Sequence, residues 1–140
     1  MNKALNLLSL ARKGGRIEVG EEPMCAAARA CYARLVIVAE DATDHTRRRA
    51  KAAVAGSGQQ LIVVPFSKDD LGSALGRTSV AVAALTDPAL ALAFVRALEN
   101  PERYAEAMED LESRTQRVRK HQQEMKAHQQ NIRHGKTGKK

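Results

Sequence analysis

Leu35-Val36-Ile37-Val38-Ala39-Glu40-Asp41 is the stretch whose reading decides the fold. Its apolar residues follow one another without polar alternation, which describes a strand buried on both faces. A sheet covered by helices on each side requires such a strand. The run ends at two carboxylates, and the basic run Arg47-Arg48-Arg49-Ala50-Lys51 follows shortly after. In open α/β sheets, ligands are met at the rim formed by the strand C-termini. Glu40 and Asp41 are therefore candidates for such a rim.

Working outward, the same unit recurs. Asn2 can cap a first helix, with Leu5, Leu8 and Ala11 inward. Arg12 and Lys13 suit its negative end, and Gly14 is the expected left-handed cap. Arg16–Val19 alternates as a short strand. Gly20-Glu21-Glu22-Pro23 opens a second helix that reaches about Cys31; acids and a proline belong in a first turn. A third helix spans about Thr43 to Ala55, with Ala50, Ala53 and Val54 inward and the arginines outward, and Gly56-Ser57-Gly58 stops it. Leu61–Val64 is another buried strand. Ser67-Lys68-Asp69-Asp70 is a capping box that opens a short helix ending at Gly76. Val80–Leu85 is the last strand. Asp87-Pro88 starts a helix with Leu90, Phe94 and Leu98 inward, which Asn100-Pro101 stops. Helices alternating with strands predict a three-layer α/β/α sandwich around a mixed sheet of about four strands.

Residues 1–100 form the expected domain and 101–140 a polar, helical or partly disordered extension. Formal net charge is +7, and its distribution matters more than its total. Residues 101–112 carry one Arg against five acids, whereas residues 113–140 carry nine Lys/Arg against Glu124 alone. A polyanion is the natural partner of such a tail, and nucleic acid the commonest. Leu111, Val118, Met125 and Ile132 recur every seven residues, but Met108, Thr115, Gln122 and Gln129 are mostly polar. The heptad is half made, so a solvated helix fraying toward Gly135 is expected, with His134–Lys140 disordered.

A reading as an enzyme ranks behind RNA binding and protein docking, because it needs a constellation that the residues do not complete. Asp41 and His45 share helical spacing, but no second His or Cys group completes a metal site. Asp41 or Thr43 as a helix cap, with Asp44 complementing the dipole, explains the cluster more simply. No nucleophile motif is present, and no Gly-rich loop joins a strand to a helix. Cys25 and Cys31 read as small buried hydrophobes in a reducing cytoplasm. No signal peptide, membrane span, cofactor or metal is expected. Lys13, Arg16, Arg29, Arg34, the Arg47–Lys51 cluster (Arg47, Arg48, Arg49, Lys51) and Arg77, taken with the tail, favour nucleic acid. Scarce aromatics disfavour base stacking on a platform, which leaves a shaped RNA.

Leu7–Gly15, Val19-Gly20-Glu21-Glu22, Leu35–Asp41 and Leu71–Gly76 fall in the order of a known group. Over residues 3–98 the chain resembles the kink-turn-binding ribosomal-protein superfamily of the L-seven-Ae and L-thirty-e type, and within it the bacterial YlxQ-like branch. The resemblance implies an α/β/α sandwich without catalysis, binding structured RNA that is ribosomal or translation-linked. It places RNA against Gly20, Glu21 and Glu22, against Glu40 and Asp41, and against Gly76, Arg77, Thr78 and Ser79. The family's Asn-Glu pair would fall on Glu22 and Pro23, and its helix lysine on Ala26. A carboxylate repels phosphate and Pro lacks a side-chain donor, so kink-turn recognition itself is in question. The expectation is a monomeric cytoplasmic RNA-binding protein, with ribosomal proteins or translation factors as further partners. Its alternative is a protein-interaction module docking on the ribosome or an assembly factor.

Overall fold

The computed structural model describes residues 2–138; side chains of the last helix are described to Arg117, at Lys120 and at Gln123–Met125. The order is α1 (Lys3–Lys13), β1 (Ile17–Val19), α2 (Glu21–Arg29), β2 (Leu35–Val38), α3 (Asp44–Val54) and β3 (Gln60–Val63). Then come α4 (Lys68–Ala74), β4 (Val82–Leu85), α5 (Pro88–Ala97) and α6 (Ala105–Gly138). The sheet is four-stranded, in the order β1-β4-β2-β3. β2 pairs in parallel with β3 through Val36↔Leu61 and Ile37↔Ile62. β4 runs against both its neighbours, with Val36↔Ala84 on one side and Glu18↔Ala84 on the other.

The apolar run reads as expected, because every residue of β2 is buried. Burying an aliphatic side chain is worth about 1.5–3 kcal/mol, so β2 anchors the core. α2 and α3 pack together over one face, and α1, α5 and α6 over the other. The architecture is therefore an α/β sandwich around an open mixed sheet.

Strand direction decides which loops meet. β1, β2 and β3 run one way and β4 the other, so the segments after the first three and before the fourth meet at one end. Gly20, Glu40–Thr43, Phe66–Ser67 and Gly76–Ala81 thus share a rim. Hydrogen bonds seal it: Gly20 N donates to Val82 O (3.0 Å), Ala39 N to Ala81 O (2.9 Å) and Glu40 N to Phe66 O (3.0 Å).

Several local expectations need correction. Gly14 is right-handed (φ −85°) and Gly15 takes the left-handed position (φ 67°). α2 ends at Arg29, and Cys31 is exposed in a left-handed turn (φ 59°) while Cys25 is buried. β4 begins at Val82, since Val80 N donates to Lys68 O instead of to a strand. On α5, Leu90 and Leu98 are half-buried, and Ala91, Leu92, Phe94 and Val95 form the buried arc. The reason is that α5 meets β4 and two helices, which widens its apolar face.

α6 continues the core beyond residue 100. Tyr104, Ala107, Leu111 and Thr115 are buried against α5 and β3. Tyr104 Oη donates to Val63 O at 3.0 Å, and burial pushes its phenol pKa up, with Arg103 opposing more weakly. Arg114 Nη2 reaches Gly58 O at 2.9 Å, and Arg96 pairs with Glu112 at 3.1 Å. Leu111 and Thr115 thus pack on the body, against α5 and β3. Met125 is half exposed, at 50%. The helix passes the expected fraying point at Gly135 and runs to Gly138. The side chains of Val118, Gln122, Gln129 and Ile132, and residues Lys139 and Lys140, lie outside the described residues.

Candidate nucleic-acid interface

Two loops lie side by side at the rim. Gly20 precedes α2 at φ +105°, a backbone conformation that favours glycine. A β-carbon there would lie 3.7 Å from Pro23 Cδ and 3.9 Å from Arg77 Nη1. The β1–α2 turn and the loop before β4 are therefore neighbours. Arg12 joins them from α1: a β-carbon on Gly76 would fall 2.8 Å from its Cζ.

The Gly76–Ser79 loop is exposed but fixed. It lies over α4 at Gly72, where an added β-carbon would come within 2.7 Å of Arg77 O and 2.8 Å of Ser79 N. Arg77 N donates to Gly72 O at 2.8 Å and Val80 N to Lys68 O at 3.0 Å. The amides of Gly76, Thr78 and Ser79 make no hydrogen bond to the protein among the described residues. The loop thus offers amide donors, two hydroxyls and the Arg77 guanidinium, with Arg12 alongside. Neither arginine makes an ion pair among the described residues.

The other expected residues divide. Asp41 is a structural cap: its Oδ1 accepts from Lys68 N at 2.8 Å, reinforcing the capping box of Ser67 and Asp70 on α4. Thr43 caps α3, accepting from Thr46 N at 3.2 Å. Arg47, placed outward from the sequence, folds back and donates to Ala42 O (3.2 Å) and Glu40 O. It satisfies carbonyls of the β2–α3 turn that have no partner in the sheet. Glu21 is held by Arg49 at 2.9 Å, which ties α2 to α3. Lys13 and Arg16 flank the turn into β1, at the far end of the strands, and Arg16 pairs with Asp87 at 3.3 Å. Glu22, Glu40 and Arg48 are exposed. Sequence reading missed two members of the site, Arg12 and Gly72. Arg12 reads as a helix-end cation, and the stretches Leu7–Gly15 and Leu71–Gly76 mark the segments without assigning either residue a role.

Asp41→Ala should cost about 1 kcal/mol, the usual value of a lost helix cap. A melting temperature about 2–4 °C lower would show this, and an unchanged value would deny the cap its role.

Among the described residues, no three His, Cys, Asp or Glu side chains converge as metal ligands, and no helix is long and apolar enough to cross a membrane.

Comparison with known proteins gives the fold. No family model and no curated protein matches the chain. Among solved structures, it is similar to a protein of unknown function from Bacillus halodurans. The two are 25% identical, with a TM-score of 0.65, over 71% of this chain and 100% of that one. It is also similar to the 15.5kD RNA-binding protein of Giardia lamblia. There the identity is 23% and the TM-score 0.55, over 68% of this chain and 81% of that one.

Proposed function

We propose that this chain binds structured RNA at the rim formed by Gly20 and Gly76–Ser79, in a ribosomal or translation-linked role and without catalysis. The observation that carries the reading is the juxtaposition of Arg12 and Arg77 with unpaired loop amides on a loop locked by Gly72. Amides and guanidinium groups are the donors that phosphate oxygens and base edges accept. The Giardia lamblia neighbour is an RNA-binding protein, which supports the same reading. The basic second half of α6 adds phosphate contacts that carry little sequence information. The kink-turn remains the RNA shape of choice for the test, and the protein acts as a cytoplasmic monomer in this account.

Arg77→Ala should weaken binding to the cognate RNA about tenfold, the worth of one charge-assisted contact. Unchanged affinity, measured by titration of labelled RNA, would remove the loop from the interface.

A second reading rests on Glu22 and Glu40, exposed acids at the same rim. They suit a basic protein surface better than phosphate, and so favour docking on a ribosomal protein or assembly factor. A partner retained after nuclease treatment would support that reading; loss of every partner would sink it.

A further inference from the structure

α2 and α3 both begin at the rim and run back along the same face of the sheet, because each follows a strand of the parallel set. Between them lies a groove of about 250 Å³ lined by Cys25, Arg29, Arg49, Ala52 and Ala53. Its charge is one-sided. The acids of these helices, Glu21, Glu22 and Asp44, all sit in the first turns. Beyond them, residues 23–34 and 46–60 contain no Asp or Glu. The same stretches hold Arg29, Arg34, Arg47, Arg48, Arg49 and Lys51.

Arg47 is committed to turn carbonyls and Arg49 to Glu21, while Arg48 donates its Nε to Asp44 O at a long 3.4 Å. Arg29, Arg48 and Lys51 are exposed and make no ion pair among the described residues. Complementing helix dipoles accounts for cations in a last turn, as at Arg29 and Lys51. It does not account for Arg48 in the middle of α3. Ala26 and Ala52 are exposed on the same helices, and Ala30 just past α2, so small side chains stand beside the cations.

We infer that the α2–α3 groove is a second contact surface for the same RNA. It takes the sugar-phosphate backbone of a stem that continues past the element seated on the rim. Arg29 lines the groove, and Arg48 and Lys51 stand outside it on the outer side of α3; these three meet phosphates, and the small side chains let the backbone approach. The Glu21–Arg49 pair marks the boundary between rim and track: it holds the two helices in register and neutralises the carboxylate nearest the groove. This inference rests on the RNA-binding reading, but it makes a separate demand on the molecule. The rim sets which RNA is preferred, and the groove sets how many counterions are released.

The test uses the full chain and a kink-turn RNA with a long flanking stem, against an uninterrupted duplex of equal length. Affinity is measured at several salt concentrations for the wild type, for Arg29→Gln/Arg48→Gln/Lys51→Gln, and for the charge-conserving Arg29→Lys/Arg48→Lys. Each phosphate neutralised adds about 0.7–0.9 to the slope of log affinity against log salt. The Gln variant should therefore show a slope shallower by about 2, with the ratio of kink-turn to duplex affinity kept, and the Lys variant should keep the wild-type slope. An unchanged slope in the Gln variant, with its melting temperature intact, would overturn the groove. If Arg12→Gln/Arg77→Gln then still abolishes the preference, the rim reading stands alone. A shallower slope in a protein with no preference for the kink-turn would keep the groove and remove the rim. A wild type that binds neither RNA would overturn both.

Discussion

A chain ended at Asn100 is expected to melt at least about 10 °C below the full-length protein, or not to fold. One ended at Gln116 is expected to melt within about 3 °C of it. The reason is where α6 spends its apolar residues. Tyr104, Ala107 and Leu111 belong to the same buried cluster as β2 and α5. Removing them uncovers α5 and the edge of β3. Loss of one buried Leu costs about 2–5 kcal/mol and of a large aromatic about as much. The sum of roughly 5 kcal/mol or more approaches the whole stability of an ordinary domain. Cutting after Gln116 spares these contacts and the Arg114–Gly58 bond, yet removes eight Lys/Arg and Glu124. Thermal melting of the two truncations checks this. Equal stability at both lengths would show that the first turns of α6 are not part of the body.

Gly72→Ala is expected to destabilise the protein by about 2–3 kcal/mol, the usual scale of overpacking. The sign is what makes the experiment informative. Gly72 lies inside α4, where replacing Gly by Ala ordinarily gains about 0.5–1 kcal/mol. Here the added methyl meets backbone at three points: Arg77 O at 2.7 Å, Ser79 N at 2.8 Å and Thr78 C at 2.8 Å. A main chain cannot rotate away as a side chain can. The loop must lift from α4, breaking the bond from Arg77 N to Gly72 O. Denaturant unfolding reads the stability, and RNA titration reads the loop. Affinity should fall with stability, because the Gly76, Thr78 and Ser79 donors lose their placement. A stabilised Gly72→Ala would mean that the loop does not rest on the helix.

These two predictions also mark what the sequence could and could not disclose. β2 was legible because burial on both faces writes itself into five adjacent residues. The Ser67–Asp70 capping box and the Asp87-Pro88 start were legible because a cap and its amide lie within three residues. Asp41 was harder. Its acid is adjacent to the third helix in sequence, but the amide it satisfies belongs to Lys68, 27 residues on. Only the parallel pairing of β2 with β3 brings the two together. Arg47 was read outward from helical periodicity, yet a long flexible cation next to unpaired carbonyls does better by folding back. The stretches Leu71–Gly76 and Leu7–Gly15 mark the segments of Gly72 and Arg12 but not their roles, which come from the loop that crosses one and the glycine that faces the other. The half-made heptad of α6 is explained in the same way. Leu111 and Thr115 are spaced for a helical partner, and α5 with β3 fills that place.

The electrostatics of the rim follow from the same geometry. Apart from Glu40 and Asp41 after β2, its acids sit at helix N-termini, where Glu21, Glu22, Asp44, Asp69 and Asp70 complement the dipoles. Its cations come from elsewhere, from the end of α1 and the loop before β4. A ligand that meets Arg12 and Arg77 while avoiding Glu22 and Glu40 must have a defined shape, which a uniform duplex does not offer.

The central claim is that Arg12 and Arg77, held beside Gly20 and Gly76, read that shape. The most direct measurement is the ratio of affinities for a kink-turn RNA and an equal-length duplex, in the full chain and in Arg12→Gln/Arg77→Gln, at matched salt. The account predicts a preference of about tenfold or more in the wild type, as one to two charge-assisted contacts supply. In the variant the preference should disappear at an unchanged melting temperature, with residual binding carried by the tail. A variant that keeps the preference, or a wild type that has none, would contradict it.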